Sequence, residues 1–182
     1  MHDYIAFLRS INVGGHSLKM EQLRAIFAEL GFSSVRTFIQ SGNVFFATDL
    51  ADRRSLESKI EAQLAAKLGF AVPVFVRPVP VLQKCVQTAP FRGEIAASGS
   101  RQLVMFLSKA LTKEITWPHS SPNGEFEVIA VVQDIAFVRL HLRNGRSGNV
   151  TGYIEKEFGV RTTGRFYHTL QKMLAEQPPV ES

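Results

Sequence analysis

Arg9-Ser10-Ile11-Asn12-Val13-Gly14-Gly15 and Gln40-Ser41-Gly42-Asn43 are the stretches of this chain whose residue types and spacing best suit chemistry. Both are polar, glycine-containing breaks in strand-like sequence. The guanidinium of Arg9, the side-chain amides of Asn12, Gln40 and Asn43, the Ser41 hydroxyl and the small Gly14 and Gly15 make a donor-rich set. With a helix starting near Ser17, that set suits a bound phosphate or carboxylate. The same residues have a second use, because asparagines fasten loops to backbone and glycines permit positive φ. Gly14-Gly15 is neither a P-loop, which ends in lysine and a hydroxyl residue, nor a dinucleotide fingerprint, which needs a third spaced glycine.

Two further groups carry positive charge. Arg143-Asn144-Gly145-Arg146-Ser147-Gly148-Asn149 leads two arginines through a glycine-rich loop into a helix, so Arg146 and Ser147 can cradle phosphate. Read as plain structure, it is a solvated loop closed by an Asn149 cap. Arg165, Tyr167, His168 and Lys172 form a basic and aromatic group, although a closing helix packed on a sheet calls for the same amphipathic residues. Other chemistries are not encoded. The five histidines (His2, His16, His119, His141, His168) show no ligand spacing with one another or with Cys85. Ser41 does not sit in a nucleophile elbow, and no carboxylate pair stands out. No catalytic constellation, cofactor or metal is therefore expected.

The elements that must position these residues follow from apolar spacing. Tyr4 to Arg9 reads as a strand, and Met20, Leu23, Ile26, Phe27 and Leu30 recur at helical intervals up to Gly31. Val35 to Gln40 and Asn43 to Ala47 form a hairpin across a Ser-Gly turn. A second helix carries Leu56, Ile60, Leu64 and Leu68, with Asp52 as its N-cap and Gly69 at its end, before a strand over Val72 to Val76. That order is strand, helix, strand, strand, helix, strand, the split βαβ pattern. Leu30-Gly31-Phe32, Leu68-Gly69-Phe70 and Phe158-Gly159-Val160 hint at an internal repeat. In the second half, strands are expected over Gln102 to Leu107, Phe126 to Val132, Ile135 to Leu140 and Arg161 to Thr163. Helices are expected over Ser108 to Ile115, Asn149 to Phe158 and Phe166 to Leu174. Val79 to Gln87 reads as a connecting helix and Arg92 to Ser100 as a linker, giving subdomains 1–91 and 92–182.

Bulk properties frame these expectations. The 182 residues are 45% hydrophobic, enough for a proper core. A single cysteine excludes an intramolecular disulfide and points to a reducing cytoplasm. No apolar run reaches membrane-span length, and no signal-peptide pattern opens the chain. A net charge of +5 favours anionic partners, although the arginines are dispersed and such a charge also serves solubility.

Tyr4 through Gly15, the helix containing Met20, Leu23 and Arg24, and Thr37-Phe38-Ile39-Gln40-Ser41-Gly42-Asn43-Val44 resemble the bacterial "domain of unknown function 1697" family. The similarity extends through Val72-Pro73-Val74 into the carboxy-terminal region. It implies two α/β plaits in one chain and assigns no activity. The chain departs from the family pattern in places. Ser147-Gly148-Asn149 stands where Ser-Lys-Leu is usual, and Ser10 stands where glycine is usual. Near the end Arg165 and Thr169 match, Tyr167 replaces a tryptophan, and Gly164, Phe166 and His168 differ.

The resulting expectation is an α+β protein of two ferredoxin-like subdomains that binds nucleic acid or a nucleotide-like anion. Its ligand-binding residues would be Arg9, Asn12, Gly14, Gly15, Gln40, Ser41, Asn43, Arg146, Ser147 and Arg165. Tyr4, Phe7, Phe45 and Phe46 are available for base stacking on an open sheet face. The alternatives are an enzyme or sensor for a small anionic metabolite, and a scaffold or oligomer whose loops are purely structural. No membrane partner is expected.

Overall fold

The structure, a computed structural model, describes residues 1–11, 18–91, 99–112, 115–143 and 145–176. Its first elements are β1 (His2–Leu8), α1 (Met20–Glu29), β2 (Ser33–Phe38), β3 (Asn43–Thr48), α2 (Arg53–Leu68), β4 (Val74–Pro78) and α3 (Val79–Gln87). The chain divides into two compact units, Met1–Leu82 and Gln83–Ser182, with the division inside α3. The linker expected over Arg92 to Ser100 lies, for residues 92–98, outside the described residues.

In the first unit the sheet order is β2-β3-β1-β4 with every neighbouring pair antiparallel. Tyr4, Ala6, Leu8, Val44, Phe46, Val74 and Val76 share one sheet face and bury against Leu23, Ile26 and Phe27 of α1 and Leu56, Ile60 and Leu64 of α2. Phe46 stacks on Phe32 at 4.6 Å and on Tyr4 at 5.6 Å between ring centroids. The intervening residues Ile5, Phe7, Phe45, Phe75 and Arg77 are buried as well. Burial of both faces explains why these strands read as unbroken apolar runs rather than as alternation. Asp52 caps α2 by accepting the Ser55 N–H at 2.8 Å, and Gly69 ends it at φ 78°.

The strand expected over Val72 to Val76 begins later, at Val74, because Pro73 has no N–H for a ladder; its carbonyl accepts the Arg9 N–H at 2.9 Å instead. β4 is an edge strand, and its outward donors are already taken. The Val74 N–H donates to Glu61 Oε1 at 2.9 Å and the Val76 N–H to Glu57 Oε1 at 2.8 Å. Pro78, next in that alternation, has no N–H to offer.

The second unit contains β5 (Ser100–Leu107), β6 (His119–Ser120), β7 (Phe126–Val132), β8 (Ile135–His141), α4 (Val150–Phe158), β9 (Thr162–Phe166) and α5 (Tyr167–Ala175). Its sheet order is β6-β7-β8-β5-β9, again antiparallel throughout. Leu103, Met105, Phe126, Val128, Val138, Leu140 and Ile154 form its core. The edge strand β9 repeats the protection of β4, with the Thr162 N–H donating to Glu155 Oε1 of α4 at 3.1 Å.

The helix expected over Ser108 to Ile115 is absent from the described part of that stretch, residues 108–112 and 115. Ser108 is committed elsewhere. Its N–H donates to the Arg161 carbonyl at 2.8 Å and its hydroxyl accepts the Arg161 N–H at 3.0 Å, which ties the end of β5 to the approach to β9. Its capping hydroxyl is thus spent away from a helix. β9 also runs longer than the expected Arg161 to Thr163. Gly164 hides its strand character: Met105 lies over it, and a Cβ there would come within 2.4 Å of the Met105 sulfur.

A sequence repeat runs from each closing strand, β4 and β9, into the helix that follows it. Arg77, Leu82, Gln83 and Lys84 recur at the same spacing as Arg165, Leu170, Gln171 and Lys172. The structure repeats too. Arg77 Nη1 donates to the Val76 carbonyl at 2.7 Å and Arg165 Nη1 to the Gly164 carbonyl at 2.8 Å, each the carbonyl of the preceding residue.

Candidate functional site

In the first unit, β1 and β2 end and β3 starts at one end of the sheet, where Phe7 and Phe38 both pair with Asn43. The Leu8 N–H donates to the Gly42 carbonyl at 2.8 Å. Gly42 has φ 72°, and a Cβ on it would lie 2.9 Å from Ile11 Cδ1, so only glycine lets the two loops touch. This packing brings the half-buried Arg9 to the same end as the exposed Gln40 and Ser41. α1 starts beyond β1 on Lys19, whose side chain makes no cap hydrogen bond. Asn12, Gly14 and Gly15, together with Ser17, lie outside the described residues.

Asn43 serves its own hairpin. It is fully buried, and its Nδ2 donates to the Phe38 carbonyl at 3.2 Å and to Ser41 Oγ at 2.8 Å. Its amide thus shapes the turn that presents Gln40 and Ser41. The aromatic residues expected to stack bases are covered: Tyr4, Phe7, Phe45 and Phe46 are all buried. Arg36 lies over the Phe45 ring at 3.7 Å. Burial, followed by the charge of Asp52, pushes the Tyr4 phenol above its ordinary pKa. These rings do not form a stacking platform.

In the second unit, Arg143 and Arg146 close a tight turn on Gly145 (φ 74°) by reciprocal backbone hydrogen bonds of 2.9 and 3.0 Å. Arg146 and Ser147 are exposed, and Asn149 caps α4 through the Gly152 N–H at 2.9 Å. The Arg143 guanidinium bonds the Asn123 carbonyl. Beside this loop lies a concavity of about 360 Å³ lined by Ser121, Asn123, Glu125, Phe126, Asn149 and Tyr153. Gly148 presses on it, since a Cβ there would sit 2.1 Å from Glu125 Oε2. Sequence inspection singled out Arg146 and Ser147 but missed Glu125 and Tyr153, which lie on either side of the loop.

Arg165, Tyr167, His168 and Lys172 do not form one open patch. Tyr167 is buried and donates its hydroxyl proton to the Val86 carbonyl at 3.1 Å. Burial lowers the Arg165 guanidinium to about 10, so it stays charged at neutral pH while its Nη1 bonds Gly164 and Thr163. His168 is exposed and stacks on Phe166 at 5.6 Å. Among the described residues no His, Cys, Asp and Glu cluster could hold a metal, and no helix is long and apolar enough to cross a membrane.

Across 97% of this chain and 99% of the other, the structure is similar to the conserved bacterial protein SP0830 from Streptococcus pneumoniae, with a TM-score of 0.68 at 18% identity. That likeness shows the fold alone. No curated protein matches the chain. The model of a protein family of unknown function, DUF1697, matches residues 1–137, which include the first unit and both polar loops of the edge described above. The chain therefore belongs to the DUF1697 family.

Proposed function

We propose that this chain is a binding protein for a nucleotide-like anionic ligand, nucleic acid included, held at the Arg9, Gln40 and Ser41 edge of the first unit. Each unit is read as a split βαβ plait of the ferredoxin-like type, supported by the sheet order β2-β3-β1-β4 and by its counterpart β7-β8-β5-β9. The observation that carries the functional reading is the contact of Gly42 with Leu8 and Ile11. It joins two polar loops at the strand ends, next to Arg9 in the chain, and the N-terminus of α1 after Lys19 is read as facing the same ligand. Asn12, Gly14 and Gly15 complete the ligand contacts in this reading, and Asn43 positions the turn. The net charge of +5 and a cytoplasmic setting are consistent with it.

Because the sheet aromatics are buried, the ligand is gripped through phosphate rather than by base stacking. Fluorescence anisotropy of short labelled single-stranded RNA and DNA at rising salt tests this. Binding is expected to weaken with salt, and Arg9→Ala to weaken it roughly tenfold through one lost charge-assisted contact. No binding at low salt discards nucleic acid, and thermal shift with mononucleotides then decides whether a small anion is bound. An unchanged affinity with a lowered melting temperature in Arg9→Ala would assign the edge a structural role only.

A further inference from the structure

We propose that the concavity beside α4 in the second unit binds a small organic cation carrying a primary ammonium, with Glu125 as its counter-ion. This site is independent of the anionic edge in the first unit and has the opposite charge preference.

Three observations converge on it. Glu125 is half-buried, and its carboxylate makes no hydrogen bond or ion pair among the described residues. A carboxylate without a protein partner gains from a cation placed beside it. The nearby Arg143 forms no ion pair with Glu125; its guanidinium donates to the Asn123 carbonyl instead. The walls suit a cation as well. Phe126 and Tyr153 meet at 5.4 Å between centroids, and an ammonium over either ring gains cation–π attraction. The Tyr153 hydroxyl also has no hydrogen bond among the described residues, and Glu157 adds negative charge near it. Finally, Gly148 leaves the carboxylate its place, since any Cβ at that position would collide with Glu125 Oε2 and with Phe126 Cζ at 2.7 Å.

The ligand class follows from what the lining offers. Only one carboxylate lines the concavity, too few for calcium, which takes six to eight oxygen ligands. The N-terminus of α4 at Asn149 favours an anion, but its roughly half charge is outweighed by the full negative charge of Glu125, which repels one. A volume of about 360 Å³ sits at the small end of ligand pockets and accommodates a short alkylamine.

The probe is 1,5-diaminopentane, titrated at low ionic strength into the full chain and followed by backbone amide NMR. The neutral isostere 1,5-pentanediol serves as control. Saturable shifts at Glu125, Asn149 and Tyr153 are expected with the diamine and none with the diol. Glu125→Gln, which disturbs no bonded partner, should weaken the diamine roughly tenfold or more. Gly148→Ala, which displaces the carboxylate, should weaken it as well. Equal shifts with diol, no saturable shifts with diamine, or an affinity in Glu125→Gln within about twofold of the original would each overturn the proposal. The comparison of diamine with diol decides the matter even if a variant fails to fold.

Discussion

Glu57 lies at the junction of two opposing effects. Burial pushes its carboxyl above the ordinary glutamate value, against the Val76 N–H, Arg77 and Arg53, all of which favour the ionised form. A carboxyl whose folded pKa exceeds its unfolded value binds more protons in the native state. Its contribution to stability is therefore present below the unfolded value near 4.5 and lost as pH rises through the folded one. Glu57→Gln keeps the acceptor for Val76 but cannot ionise. Thermal melts should show this variant gaining on the original protein between about pH 4 and pH 7; a constant difference would contradict the assignment. Asp52 behaves in the opposite sense. Its pKa is lowered, chiefly by hydrogen bonding to Ser55, so its contribution disappears as pH falls. Asp52 was legible in the sequence because a cap precedes a helix by a fixed interval. Glu57 was not, because its role depends on the register of a later strand. Glu125 was missed for a related reason: its distinguishing property is that its carboxylate has no partner among the described residues, which no spacing rule expresses.

At the scale of elements, both closing strands are edge strands with backbone donors bonded to helical glutamates: Val74 and Val76 of β4 to Glu61 and Glu57, and Thr162 of β9 to Glu155. Unpaired edge donors are templates for strand addition, and these carboxylates block that route. Replacing Glu57 and Glu61 together by alanine should produce concentration-dependent association by light scattering under conditions where the original protein stays dispersed; identical scattering would show that the caps do not protect the edge. Strand and helix identities in the first unit could be read from the sequence because amphipathic spacing and glycine stops agree there. The expectation failed where side chains had other commitments. Ser108 holds Arg161 instead of capping a helix, Pro73 delays β4, and Gly164 beneath Met105 conceals half of β9. The Ser108 and Gly164 cases are tertiary contacts overriding a local preference, whereas Pro73 acts through its missing N–H.

For the whole molecule, the glycine stops already suggested that the halves are related, and the recurrence of Arg, Leu, Gln and Lys around Arg77 and Arg165 strengthens that relation. The halves differ in one respect. α1 lies against α2 in the first unit, whereas among the described residues no helix takes that place beside α4, where concavities lined by Tyr153 and by Glu157 and Phe158 are found instead. Lower local packing predicts easier opening. Amide hydrogen exchange should therefore be faster in α4 than in α2, and equal protection would refute that difference. Where no crossover helix is found among the described residues, the constraints that a packed helix imposes on its neighbours are also missing. The stretch between β5 and β7 is therefore expected to tolerate inserted residues with less loss of stability than the packed crossover between β1 and β2.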